Sequence, residues 1–339
     1  MIIINGTPLG DPSPASTPSP ARLPNSIRRT TTIDIVCGEK GVELTLDGRG
    51  RDLATDVNLR PRILATANIV ATIDAATRKI TGLSATPEQH GAEKALVGLS
   101  SGSGFRKAVH QTLPGASSDG SALGLLFDDI PVAMVVASGF LRRRPDMATQ
   151  TIRSFPPEDV CAGWANDALL AITTRTTGSP PLTEGLIAQP FTSPADMDGW
   201  HPLLPMPAWS MRRARRLDIN FSTVVDGNVE IDAWFRDTRV SGDGVERGVH
   251  EYEIRVSADE NGTVLGIVAI PHILPASECP AAAASAQRLV GMPLGEIRAH
   301  VAKLFLGTTT CTHLNDALRA LSDVESIISD NARLQALHG

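Results

Sequence analysis

A segment near the C-terminus places a thiol, an imidazole and a carboxylate at the predicted start of a helix. Threonines at residues 308–310 precede Cys311, His313 and Asp316, and threonine is favoured where a helix begins. In the first helical turn, unpaired backbone N–H groups and the helix dipole favour a thiolate. The pattern therefore indicates a metal-ligand set or an acid–base site. A buried cysteine beside a capping histidine is the structural alternative.

Each of these side chains has an expected role. We expect Cys311 to be a metal ligand or a nucleophile, His313 a ligand or a base, and Asp316 the residue that orients His313. A second thiol, Cys279, precedes Pro280 at another predicted helix start. Two thiols and a histidine near two helix starts would form a soft-ligand site. Cys279, Cys311 and His313 are therefore the predicted metal ligands, with zinc or iron as the predicted metal.

A long connector supplies the other candidate residues. Residues 151–213 contain nine prolines and three of the four tryptophans, and large apolar side chains are unusual in a disordered linker. We expect an ordered strap that closes over a substrate. Cys161 and His201 are its predicted catalytic residues, with His201 as a proton donor. Trp164 and Trp200 are predicted to bind the substrate, and packing alone is the alternative for these four residues.

The elements that must position these residues occur twice in the chain. Residues 32–35 (TIDI) recur at 216–219 (RLDI), and residues 80–83 (ITGL) recur at 264–267 (VLGI). Such self-similarity indicates a duplicated unit. A duplication allows one copy to lose its site while the other keeps it.

The two copies differ at the candidate site. Where the second copy has Cys311 and His313, the first has Asp119 and Ser121. We therefore expect the chemistry in the second copy and a scaffold in the first.

We predict an α+β fold of two tandem pseudo-symmetric repeats, each a small antiparallel sheet followed by helices. The prediction rests on runs of period two separated by glycine, aspartate and asparagine, followed by longer helical patterns. The two halves are expected to pack against each other. The predicted segments are a flexible Pro/Ser-rich tail (residues 1–27), a first repeat with a degenerate site (28–150), a connector strap (151–213) and a second repeat with the Cys/His site (214–339).

Two patterns of charged residues have a structural interpretation. An Arg-Asp dipeptide occurs in both copies, at residues 51–52 and 236–237, and its presence in both favours a structural ion pair or a turn. A basic run, residues 212–216 (RRARR), begins the second copy. It indicates a solvated strand edge or an internal salt-bridge cluster.

Composition limits the partners and the compartment. The net charge of −6 argues against nucleic acid or an anionic membrane as a partner. The start of the chain lacks the pattern of a secretory signal, and we expect a cytoplasmic protein with reduced thiols. A small-molecule substrate is the expected partner, and a homodimer is left open.

Several segments resemble a bacterial family catalogued as domain of unknown function 2889. They are residues 28–34 (RRTTTID), 160–164 (VCAGW), 200–201 (WH), 211–218 (MRRARRLD) and 311–314 (CTHL). The resemblance extends from about residue 28 to the C-terminus. It implies no particular reaction.

The second half also resembles the IscU-type iron–sulfur scaffold in the order of its elements. Cys279 precedes an Ala/Ser-rich segment, residues 281–287, and Cys311 stands at a later helix start. The resemblance implies that Cys279 and Cys311 match two of that family's three ligand cysteines. The third has no counterpart in the loop after the first strand.

The sequence leaves three functions open. The first is a soluble enzyme, a lyase, isomerase or hydrolase that needs no nucleotide cofactor, because no nucleotide-binding fingerprint is visible. Its substrate would be small and largely apolar, aromatic or acyl. The second is a non-catalytic metal or iron–sulfur scaffold. The third is a binding or structural protein whose cysteines and histidines serve only in packing.

Overall fold

The computed structural model describes residues 2–4, 7–9, 18–38, 41–141, 144, 155–181, 185–221 and 228–338. Its strands are β1 (Ile2–Ile4), β2 (Thr7–Leu9), β3 (Ser26–Cys37), β4 (Glu43–Thr55), β5 (Pro61–Asp74), β6 (Ile80–Thr86), β7 (Ser210–Asn220), β8 (Val229–Val240), β9 (Glu246–Ala258) and β10 (Val264–Ile273). Its α-helices are α1 (Phe105–Thr112), α2 (Pro114–Ser118), α3 (Ala122–Leu141), α4 (Leu169–Thr177), α5 (Ile297–Leu304), α6 (Thr312–Arg319) and α7 (Val324–His338). Short 3-10 helices cover Ala92–Leu96, Ala162–Trp164, Cys279–Leu289, Leu294–Glu296 and Ala320–Asp323.

Eight of these strands form one antiparallel sheet, and β1 and β2 pair separately. The order across the sheet is β10-β9-β8-β7-β3-β4-β5-β6, so each half contributes four strands that run outward from the middle. The predicted α+β class is confirmed. The two small sheets expected from the sequence are joined into one, because β3 pairs with β7 along nearly its whole length. The repeat itself stays a prediction.

Helices cover one face of this sheet. In the first half, Leu126 of α3 belongs to an apolar cluster with Ile33 and Ile69 of the sheet. In the second half, the helices that follow β10 pack on a cluster that includes Phe235. Among the described residues, Ala122–Gly139 of α3 is long and apolar enough to cross a membrane, but 72% of it is buried inside the protein. That degree of burial is typical of a core helix.

The connector covers the opposite face. The ring centroids of Phe191 and Trp200 lie 4.6 Å apart, and Trp200 lies 5.9 Å from Trp234 of β8. An earlier part of the connector packs instead on the helices of the second half, where Ala162 and Leu170 join the apolar cluster. Strands β3 and β7 are consequently buried on both faces.

Charged side chains on these doubly covered strands pair with one another. On the connector face, Arg28 contacts Asp218 at 2.5 Å and Arg212 contacts Asp34 at 2.6 Å, both across the β3–β7 pair. The basic run at residues 212–216 is therefore an internal salt-bridge cluster. The other expectation for it, a solvated strand edge, is wrong, because β7 lies at the centre of the sheet, where a buried charge needs a partner.

On the helix face, each half supplies a carboxylate to the inner strand of the other half. Asp129 of α3 contacts Arg215 of β7 at 2.5 Å and Arg213 at 3.3 Å. Asp323, from the second half, contacts Arg29 of β3 at 3.1 Å. These ion pairs fix the helix layer on the shared sheet.

Replacing Asp129 by Asn should lower the free energy of unfolding by about 3–5 kcal/mol, because Arg215 would lose the carboxylate that compensates its buried charge. Urea denaturation followed by circular dichroism measures this change. The matched control is Glu158→Gln. Glu158 contacts Arg175 at 2.7 Å, but the two side chains are 44% and 53% exposed, so the loss should stay below about 1 kcal/mol. Equal losses in the two variants would show that burial does not set the strength of these pairs.

Candidate functional site

The three cysteines named as candidates lie close enough to interact electrostatically, and Cys279 and Cys311 belong to the apolar cluster of the second half. Each stands at the start of a helix: Cys161 before Ala162–Trp164, Cys279 at the first position of its 3-10 helix, and Cys311 before α6. All three are buried free thiols, and they interact electrostatically with the phenol of Tyr252.

Burial decides the protonation of these thiols. It raises the pKa of Cys311 to about 11, although the backbone N–H groups of His313 and Leu314 act in the opposite direction. Burial also raises the pKa values of Cys161 and Cys279. The thiolate expected from the helix start is therefore disfavoured at neutral pH, because loss of solvation outweighs the effect of the helix end.

His313 lies in a different group, with Asp237 of β8 and His250 of β9. One potential ligand atom from each residue lies within 4.8 Å of the other two. We call these residues the Asp/His triad. Nδ1 of His250 donates to Oδ2 of Asp237 at 3.2 Å, and the rings of His250 and His313 stack with their centroids 3.6 Å apart.

Three elements bring the Asp/His triad together. Asp237 and His250 are cross-strand partners in the β8–β9 hairpin, directly before a β-bulge, and bulges re-aim side chains next to functional sites. His313 lies in the first turn of α6, which packs on β8 and β9. Cys279 and Cys311 do not belong to this group, so the structure does not bring the predicted Cys/Cys/His ligand set together as a triad.

The charges in the triad suit a metal ligand set. Burial raises the pKa of Asp237, but Arg213 and His250 outweigh it and lower that pKa to about 2, so the carboxylate is ionised. Burial, and then the charge of His250, lower the pKa of His313 well below its usual range. His313 is therefore a neutral imidazole, and its buried Nε2 has no hydrogen-bond partner. An ionised carboxylate and a neutral imidazole are the protonation states that bind metals.

The first half contains the ion pair of this site without its imidazoles. Asp52 of β4 accepts from Arg29, as Asp237 accepts from Arg213. The residue opposite Asp52, also next to a bulge, is Ala65. The aspartate of the Arg-Asp dipeptide thus forms an ion pair in each half. A structural ion pair was one of the two roles predicted for this dipeptide, and a turn was the other.

Asp316 lies beside arginines and not beside His313. Its Oδ1 accepts from Arg106 at 2.9 Å, and its carboxylate lies 3.6 Å from Arg319 and 3.8 Å from Arg213. The predicted contact with His313 is absent from the described contacts of Asp316. Its position three residues along the helix turns it towards the arginines at the centre of the sheet.

His201 and Trp200 lie on the other face of the sheet from the triad. The two ring nitrogens of His201 are each 2.9 Å from a hydroxyl, of Thr30 at Nδ1 and of Thr32 at Nε2. Trp200 is packed against Phe191 and Trp234. The structure therefore does not place the predicted proton donor or this predicted substrate-binding residue at the triad.

The remaining connector candidates lie on the helix side. Trp164 is partly buried against the apolar cluster that holds Cys279 and Cys311. Ala162 donates its backbone N–H to the carbonyl oxygen of Thr310 at 2.9 Å. This part of the connector therefore supports the loop that leads into α6.

Sequence reasoning missed Asp237 and His250 as members of the site. A usable signal existed, because Asp237 belongs to the repeated Arg-Asp dipeptide and His250 faces it across a hairpin. Each half has an aspartate before a β-bulge, but the residue opposite it is Ala65 in the first half and His250 in the second. A difference between copies at a cross-strand partner would have indicated the site.

Residues 211–326 match the model of a family described as "Protein of unknown function (DUF2889)". The resemblance to that family is confirmed over this segment, which contains all three residues of the Asp/His triad. No curated protein and no solved structure matches the chain. The resemblance to iron–sulfur scaffolds stays a prediction.

Replacing His201 by Gln should reduce the loss of stability in acid. Burial lowers the pKa of folded His201 to about 3, whereas an unfolded histidine titrates near ~6.5. As the pH falls through this window the unfolded chain gains a proton that the folded chain lacks, so the wild type loses stability. Between about pH 7 and about pH 4.5, the wild type should lose about 2 kcal/mol more than the variant.

Urea denaturation of both proteins at the two pH values measures this difference. For each protein, the free energy of unfolding at about pH 4.5 is subtracted from its value at about pH 7. Any stability that the substitution itself costs at neutral pH therefore cancels. Parallel losses in the two proteins would show that His201 is not held neutral by the fold.

Proposed function

We propose that the protein is a metal-dependent enzyme of the lyase, isomerase or hydrolase type, with a divalent metal ion held by Asp237, His250 and His313. The observation that carries the proposal is the convergence of three ligand atoms within 4.8 Å of one another. The buried, unpartnered Nε2 of His313 supports it, because a buried polar atom without a partner is costly unless a ligand satisfies it.

The donor set suits the two metals expected from the sequence. Two imidazoles and one carboxylate bind zinc in hydrolytic enzymes and iron(II) in non-haem oxygenases. Three protein ligands leave coordination positions for water and substrate. When bound, such an ion polarises a carbonyl group or lowers the pKa of a bound water.

The side chains must move to bind the ion. The planes of the His250 and His313 rings are 20° from parallel, and an imidazole nitrogen directs its lone pair within its own ring plane. Two nearly parallel, stacked rings cannot both point a lone pair at one ion. One ring must therefore turn about its Cβ–Cγ bond, which would break the stacking.

A metal-free acid–base enzyme is the second candidate, and one specific contact favours it. The hydrogen bond from Nδ1 of His250 to Asp237, at 3.2 Å, is the arrangement in which a carboxylate orients an imidazole for proton transfer. In both candidates His250 and Asp237 are essential. The small apolar substrate, the homodimer and the cytoplasmic location remain proposals from the sequence.

Purified protein should contain about one zinc or iron ion per chain, and His250→Ala or His313→Ala should weaken metal binding by ~100-fold or more, since loss of even a supporting residue costs 10- to 100-fold. Cys311→Ala should retain the metal, because its thiol lies outside the triad. Elemental analysis and calorimetry with Zn²⁺ measure both effects.

Asp52→Asn is the matched control for Asp237→Asn. Each substitution removes a carboxylate paired with an arginine on the helix face, but only the second should release the metal. Metal that persists in His313→Ala, or that is lost in Cys311→Ala, would exclude the triad as the metal centre. A protein that turns over substrate while free of metal would favour the acid–base candidate.

A further inference from the structure

The two equivalent arginine–aspartate pairs have different geometries. In the first half, Arg29 binds Asp52 through Nε and Nη2, each at 2.7 Å, in a two-pronged contact. In the second half, Arg213 reaches Asp237 through Nη1 alone, which lies 3.0 Å from both carboxylate oxygens. The guanidinium of Arg213 is thus turned end-on to its carboxylate.

The end-on contact leaves part of the Asp237 carboxylate available. A carboxylate has about four lone-pair sites, and the two-pronged contact made by Arg29 occupies one on each oxygen of Asp52. The single Nη1 of Arg213 also contacts both oxygens of Asp237, so each oxygen keeps one free lone-pair site, and Oδ2 uses its site to accept from His250. The same oxygens can face a cation beside the histidines.

Other carboxylates hold Arg213 in this orientation. Its Nε lies 3.3 Å from Asp129 of α3, and its Nη2 lies 3.8 Å from Asp316 of α6. Its side chain is fully buried, and neither Nε nor Nη2 has a hydrogen-bond partner. Arg213 therefore lies among three carboxylates, of which Asp237 alone accepts hydrogen bonds from it.

We propose that Arg213 is a positioning residue that competes with the metal ion for Asp237. The inference rests on the proposed metal centre. Without a cation, Arg213 is the counter-charge of Asp237. When a cation binds, Asp237 turns towards it, and Arg213 shifts its charge towards Asp129 and Asp316, which already lie beside it.

Two consequences follow from this competition. The buried positive charge of Arg213 weakens cation binding, so at a pH where Asp237 stays ionised its removal should tighten binding by about 10- to 100-fold, the scale expected for unit charges a few ångströms apart. The competition also links the metal centre to the first half, because Asp129 belongs to α3.

The experiment compares Arg213→Gln with Arg29→Gln, using Zn²⁺ alone as the probe. Both variants lose one buried arginine and should melt at a lower temperature than the wild type in the presence of a chelator. Arg213→Gln should bind Zn²⁺ at least about tenfold more tightly than the wild type, and Zn²⁺ should raise its Tm by more. Arg29→Gln should keep the wild-type affinity and gain no extra Tm.

A charge-preserving variant and a folding control complete the experiment. Arg213→Lys should bind Zn²⁺ within about threefold of the wild type, because the positive charge remains. If Arg213→Gln folds only with Zn²⁺ and unfolds when chelator is added, while Arg29→Gln shows no such rescue, the competition is supported. If Zn²⁺ rescues neither variant, or if Arg213→Gln binds Zn²⁺ no more tightly than the wild type, the competition is refuted.

The wild type separates this inference from the proposed function. A wild type that binds no Zn²⁺, or that binds it equally well as His313→Ala, overturns both proposals. A wild type that needs His313 for Zn²⁺, together with an Arg213→Gln variant of unchanged affinity, overturns the role of Arg213 alone.

Discussion

The pairing of β3 with β7 is the constraint on which the rest of the structure depends. It joins the halves into one sheet and places two strands rich in arginine, threonine and aspartate where both faces are covered. Burying a charge is costly unless it is paired, so each arginine on these strands needs a carboxylate nearby. The connector and the helices therefore supply covering side chains and acidic partners, such as Asp196 beside Arg28 and Asp129 beside Arg215.

The candidate site is a modification of this ion-pair network. Both halves carry an aspartate that accepts from an arginine on the inner strand and that precedes a β-bulge. The second half adds His250 at the position of Ala65 and His313 at the start of α6. Two imidazoles thus join an ion pair that the fold already contains, so in the proposed metal centre the same carboxylate would both compensate a buried arginine and bind the ion.

The sequence predicted the class of fold and one residue of the triad, His313. The other two residues of the triad and the positions of the other candidates could not be predicted, for separate physical reasons. Alternating runs and turn residues predicted the α+β class, and the helix start predicted a site around His313. Its partners were missed because contacts across a hairpin depend on register, which a bulge shifts. Cys311 was expected to be ionised, but its burial raises its pKa. The face on which His201 lies could not be predicted, because strands buried on both faces lack the apolar alternation that marks an inner side.

The pairing of β3 with β7 also limits how the chain can be divided. The segment that matches a known family, residues 211–326, includes β7 but not β3, its neighbour. Excised, that segment would expose a long edge of unpaired backbone groups, which invites association with other strands, and Arg212 would be parted from Asp34. The second half therefore depends on β3 of the first half to cover the edge of β7 and to supply Asp34 to Arg212.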